Sequence, residues 1–104
     1  MTVTEIYNTD DLQKTIDTKQ DVLIDFFAKW CAPCMQGAPI FEAKSNEYES
    51  TTFIKFNIDN MSSDEQEEWC ITSIPALKYY KNKNLVHDEI GGLNHNTLKR
   101  ILTT

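Results

Sequence analysis

Two cysteines three positions apart, in Trp30-Cys31-Ala32-Pro33-Cys34, are the residues whose type and spacing most directly allow chemistry. Two thiols with two residues between them meet across one helical turn. They can close a small-loop disulfide and reopen it, moving two electrons each time. The nearly continuous apolar run Val22–Ala28 precedes the motif and reads as a strand buried on both faces. A helix is expected from Ala32 to Tyr48, so the pair falls where a buried strand gives way to a helix. The unpaired N–H groups and the dipole of a helix start stabilise an anion, which populates the thiolate at neutral pH. Cys31, at the start, is expected to be the exposed nucleophile. Cys34, one turn in, is expected to be the buried resolving thiol. Pro33 is tolerated in the first turn and stiffens the loop.

Half of a zinc site is the other use of such a pair. Zinc takes four ligands. Only Cys70, His87 and His95 remain to supply them, and none stands at ligand spacing to another. No metal is expected. Asp25 interrupts the apolar strand six residues before Cys31. A carboxylate there loses hydration, which raises its pKa and suits it to take or return a proton as thiols ionise. A structural role is the alternative, with Lys55 of the next strand as its cationic partner. Pro75 follows Ile74 just before another strand, where a proline belongs at a strand start. Residue type alone favours a trans bond, since cis is found in about 5–6% of X–Pro bonds.

The elements that must hold these residues alternate. Val3–Tyr7 reads as an edge strand, and Thr9 as the cap of a helix with Asp10 and Asp11 in its first turn. In the helix after the cysteines, Ala38, Phe41, Ser45 and Tyr48 share one face. Pro39 interrupts its hydrogen-bond ladder and is expected to kink it. Phe53–Ile58 is a further strand, and Ser62-Ser63-Asp64-Glu65 matches a capping box opening a short helix. Ala76–Lys81 and Leu85–Ile90 form a hairpin around Asn82-Lys83-Asn84. Gly91-Gly92 stops the second of these strands. Asn94 caps a last helix with Leu98, Ile101 and Leu102 turned inward. The order β-α-β-α-β-α-β-β-α implies parallel strands with right-handed crossovers, completed by an antiparallel hairpin, in a mixed sheet with helices on both faces.

The 104 residues suit one domain spanning 1–104, and a 40% apolar content fills one core. A net charge of −6 with no basic cluster argues against nucleic acid as a partner. No apolar run approaches the ~20 residues of a membrane span. The opening Met1–Glu5 lacks the basic and apolar regions of a secretory signal. Three cysteines, an odd number, do not suit a secreted disulfide scaffold, so a cytoplasmic location is expected. The lone Cys70 reads as a small buried residue with no part in turnover. Trp69 beside it reads equally as core or as surface rim.

The chain resembles the thioredoxin family over nearly its whole length. The match lies in Val22–Ala28, the Trp30–Cys34 motif, Pro39, Lys55 before Asn57-Ile58-Asp59, Ile74-Pro75 and the Ile90-Gly91 step. Ala32 replaces the glycine of the family motif. Met35 replaces a common basic residue, Phe27 a common tryptophan, and Lys83 a turn glycine. The resemblance implies a thioredoxin fold, with a central five-stranded mixed sheet flanked by four helices. It implies that Pro75 is cis and lies against the sulfurs, that Asp25 is the proton acceptor and that Lys55 is its partner. It places a substrate groove at Trp30, Ala32, Pro33, Ser73, Ile74, Pro75, Ile90 and Gly91. The implied activity is reduction of disulfides in other proteins through a mixed disulfide, with a thioredoxin reductase as electron source. No organic cofactor is expected, because the two cysteines carry the electrons, and a monomer is expected. An oxidase or isomerase, a binding module and a metal-binding domain are the alternatives.

Overall fold

Valine, isoleucine and phenylalanine dominate the two runs that become the middle of the sheet, where branched and aromatic side chains pack well on a pleated surface. The structure is a computed structural model. It describes residues 3–104; Met1 and Thr2, which open the segment read above for a secretory signal, lie outside the described residues. The elements are β1 (Val3–Ile6), α1 (Thr9–Thr18), β2 (Asp21–Phe27), α2 (Ala32–Glu47), β3 (Thr52–Asn57), a 3-10 turn (Ile58–Asn60), α3 (Ser63–Glu68), β4 (Ala76–Lys81), β5 (Asn84–Ile90) and α4 (His95–Leu102).

The sheet order is β1-β3-β2-β4-β5. β3 runs parallel to both β1 and β2, whereas β4 is antiparallel to β2 and to β5. This is the expected mixed five-stranded sheet with four helices. β2 lies at its centre, and Val22 to Ala28 are all buried, as the apolar run predicts. Leu12 and Ile16 of α1 pack one face of the sheet together with Val22, Ile24, Phe26, Ile54 and Phe56. Phe41 of α2 and Leu98, Ile101 and Leu102 of α4 pack the other, against Leu23, Phe53, Leu77 and Tyr79. Asp25 alternates with Leu23 along β2 and so points to the side covered by α2 and α4.

Four local readings change. Asn8, not Thr9, caps α1: its side-chain oxygen accepts from the N–H of Asp11 at 2.8 Å. Thr9 instead donates its hydroxyl to Glu65, 56 positions on, at 2.5 Å. β3 ends at Asn57, whose side chain accepts from the N–H of Asp59 at 2.9 Å and so starts the 3-10 turn at Ile58. The β4–β5 turn has two residues, Asn82 and Lys83, both left-handed with φ 51° and 73°; Asn84 already pairs with Lys81. Two consecutive left-handed residues match the twist of the strands they join. Cys70 is exposed rather than buried. It follows α3 with φ 57°, and its N–H donates to Glu67 O at 3.0 Å while Ile71 N–H reaches Gln66 O at 2.8 Å. That is the Schellman closure of a helix, in which this position takes the left-handed conformation and its side chain faces solvent. Trp69 combines both readings: half-buried, its ring packs against the core on Phe26 with centroids 6.4 Å apart, and it also lines a surface depression beside Cys70. The capping box of Ser62 and Glu65, the stop at Gly91-Gly92 and the cap at Asn94 stand as read.

Candidate active site

β2 ends at Phe27, and the chain turns through Ala28–Trp30 into α2. Cys31 caps α2, its Sγ accepting from the N–H of Cys34 at 3.3 Å. Ala32 and Pro33 fill the first turn, and proline costs nothing there because that N–H has no partner within the helix. The two Sγ atoms lie at disulfide distance, with Cα atoms 5.3 Å apart. Cys34 is 1% exposed, as its place one turn in implies. Cys31 is less open than its position at the helix start suggests, at 7%. Its sulfur is bonded to Cys34 and accepts from the Cys34 N–H, which seats it over the first turn of α2.

Six of the predicted groove residues line two depressions, whereas Ala32 and Ile90 line neither. Trp30, Ser73 and Ile74 line one of about 430 Å³. Pro33, Pro75 and Gly91 line the other, of about 360 Å³. The Ile74–Pro75 bond is cis, and the N–H of Gly91 donates to Pro75 O at 2.6 Å, tying the proline loop to the end of β5. Trp30 and Ile90 are 68% and 62% exposed, large apolar surfaces left uncovered beside the disulfide. Exposed apolar area of this kind marks interaction surfaces. The sequence reading did not assign a role to Asp59. Both of its carboxylate oxygens accept from the indole N–H of Trp30 at 3.2 Å, which fixes the ring. Asp59 lies two residues after the β3 terminus, and no spacing rule links it to Trp30.

Asp25 is buried, and its Oδ1 has no hydrogen-bond partner. Burial pushes its carboxyl up from 3.8 to about 7, against an opposing pull from the charge of Lys55. Lys55 is the register partner of Asp25, but its ion pair is with Glu5, at 3.8 Å. Asp25 and Lys55 line a cavity of about 150 Å³ under α2, together with Glu42. Glu42 was not singled out from sequence. Its signal is weak: it lies four residues after Ala38 and so flanks the inward stripe of α2. No group of three or more His, Cys, Asp or Glu side chains suited to a metal is gathered among the described residues.

A cysteine pair at disulfide distance at a helix start, beside exposed apolar surface, on a mixed sheet whose central strand buries a carboxyl, defines a thiol–disulfide oxidoreductase. The family model described as Thioredoxin matches residues 3–104. Thioredoxin 1 of Plasmodium falciparum is 38% identical over 92 residues, covering 88% of this chain and 86% of that protein. Thioredoxin of Buchnera aphidicola subsp. Baizongia pistaciae is 40% identical over 91 residues, covering 86% and 83%. A solved structure of Plasmodium falciparum thioredoxin superposes with a TM-score of 0.87 at 34% identity, covering 96% of each chain. The chain belongs to the thioredoxin family.

Proposed function

We propose that this chain reduces disulfides in other proteins, with Cys31 as nucleophile and Cys34 as resolving thiol. The observation that carries the reading is the placement of the two sulfurs, one capping α2 under a donated N–H and one buried beneath it. The Cys31 thiolate attacks a substrate sulfur, forming a mixed disulfide and releasing the first substrate thiol. Asp25 takes the proton of Cys34. The Cys34 thiolate then attacks Cys31 Sγ, closing the internal disulfide and releasing the second substrate thiol. A reductase of the thioredoxin reductase type returns two electrons to the pair. The substrate segment lies against Trp30, Ala32, Pro33, Ser73, Ile74, cis-Pro75, Ile90 and Gly91. No metal or organic cofactor enters, since the dithiol supplies both electrons.

The protein works as a monomer in the cytoplasm. The free thiol of Cys70 supports the location, since it suits a reducing compartment; no helix among the described residues is long and apolar enough to cross a membrane. Equilibration of the Cys31–Cys34 pair against a glutathione buffer tests the direction of the reaction. A potential near about −270 mV fits a general reductase, and one near about −180 mV overturns that in favour of an isomerase.

A further inference from the structure

A buried carboxyl that changes protonation in every turnover must exchange its proton with solvent, and the structure restricts how. Six residues line the cavity at Asp25: Val3, Ala38 and Phe41, which are apolar, and Asp25, Glu42 and Lys55. The unpartnered Oδ1 belongs to the buried Asp25 carboxyl that forms part of this wall. An ammonium carries three donors and no acceptor, so Lys55 cannot receive a proton. Its attraction is moreover shared with Glu5 at the edge of the sheet. From β4 the register partner of Asp25 is the apolar Leu77. Among the lining residues, Glu42 is therefore the one group besides Asp25 able to accept a proton. Unlike Asp25 it is only partly buried, so it reaches both the cavity and the outside. A cavity of about 150 Å³ with three charged side chains in its wall is roomy and polar enough for ordered water, each molecule needing roughly two to four polar partners.

We propose that Glu42 is the proton relay of the dithiol site, connecting Asp25 to solvent through water in the cavity under α2. This rests on the reading of Asp25 as proton acceptor. As Cys34 ionises, its proton passes to the Asp25 carboxylate. The S–S bond to Cys31 forms and the bond from Cys31 to substrate breaks, so the substrate leaves as a thiolate and is protonated by solvent. The proton on Asp25 then crosses one or more waters to the Glu42 carboxylate and leaves to bulk. When the disulfide is reduced again, the same route runs inward.

The test is multiple-turnover reduction of a protein disulfide, with excess reductant recharging the pair so that Asp25 must be reset in each cycle, by Glu42→Gln, Glu42→Asp, Asp25→Asn and the unaltered protein, across pH and at rising imidazole concentration. Glu42→Gln is expected to slow the reaction about three- to tenfold on the alkaline side, a fraction of the 10²–10⁴-fold range of positioned acid–base groups. Imidazole should restore the lost rate, while the unaltered protein stays insensitive to it and Glu42→Asp keeps most of its rate. A Glu42→Gln variant that only shifts its pH inflection, with no response to imidazole, makes Glu42 a neighbouring charge and overturns the relay. The same holds if its rate equals that of the unaltered protein while Asp25→Asn is slow. If Asp25→Asn is also unchanged, the reading of Asp25 falls too.

Discussion

Asp25 and Lys55 stand opposite each other in the parallel pairing of β2 and β3, yet the cation of Lys55 pairs with Glu5 on β1, at 3.8 Å. Glu5, Lys55 and Asp25 thus form one row from the sheet edge to its centre, with a single positive charge between two carboxyls. The inner carboxyl has only part of that charge to offset its lost hydration. Burial therefore dominates, and the group titrates about 7 rather than at 3.8.

Asp25→Asn is expected to stabilise the oxidised protein, in which neither Cys31 nor Cys34 titrates. The native carboxyl binds its proton more tightly than the unfolded one, so the native state holds the extra proton between about pH 4 and about pH 7. Its contribution is complete below the unfolded pKa and is lost as pH rises through the folded one. A shift of about three units corresponds to about 4 kcal/mol at full ionisation. The denaturant midpoint of Asp25→Asn should exceed that of the unaltered protein above pH 7, and the two should converge near about pH 4. Parallel midpoints across this range would contradict the buried, raised carboxyl.

The two cysteines are expected to fail differently when replaced. Cys34→Ser keeps the thiol that caps α2 and loses the one that resolves, so mixed disulfides with protein substrates accumulate and survive non-reducing electrophoresis. Cys31→Ser forms none, because Cys34 is 1% exposed and out of reach of another protein. Both lose turnover. Trapping by Cys31→Ser alone would reverse the assigned roles.

Cys70 spends its left-handed φ of 57° closing α3. Glycine holds that conformation without the Cβ clash, though it loses more freedom on folding. Cys70→Gly is expected to stabilise the protein by about 0.5–1 kcal/mol, read from denaturant midpoints under reducing conditions. Turnover should stay unchanged, since the dithiol supplies both electrons. A folded variant with a large loss of turnover would give Cys70 a role in the reaction.

Lys83 carries the same burden at the tip of the β4–β5 hairpin, with φ 73°. Lys83→Gly makes the turn Asn-Gly, the sequence that two left-handed residues favour most. A gain of about 0.5–1 kcal/mol is expected in thermal or chemical unfolding. A loss would mean that the lysine side chain contributes more than its backbone conformation costs.

Much of the fold was legible because its local signals agree with one another. The apolar run of β2, the Ser62–Glu65 box and the Gly91-Gly92 stop each follow from nearby residues alone. What stayed hidden depends on contacts distant in sequence. Asn8 and Thr9 are both good caps, and the choice is made by Glu65, which engages the Thr9 hydroxyl. Cys70 looked like a buried small residue because its composition says nothing of the helix closure that turns it outward. In the site, the cysteines and Asp25 announce themselves by type and place. Glu42 does not, because what distinguishes it is a shared cavity with a strand seventeen positions earlier in the chain.

α3 buries no side chain of its own. It is held through its capping box, through the contact of Thr9 with Glu65 and through Trp69 just beyond it. Little apolar area is released when such a helix opens, so its amides should exchange with solvent by local opening, at rates far above those of β2. Gln66 of α3 lines the depression beside Trp30, whereas Pro75 and Gly91, on the other side of the disulfide, are tied to the sheet. The depression beside Trp30 is thus bordered at Gln66 by a helix with no buried side chain of its own, and at Ile74 by the loop that the Gly91–Pro75 bond ties to β5.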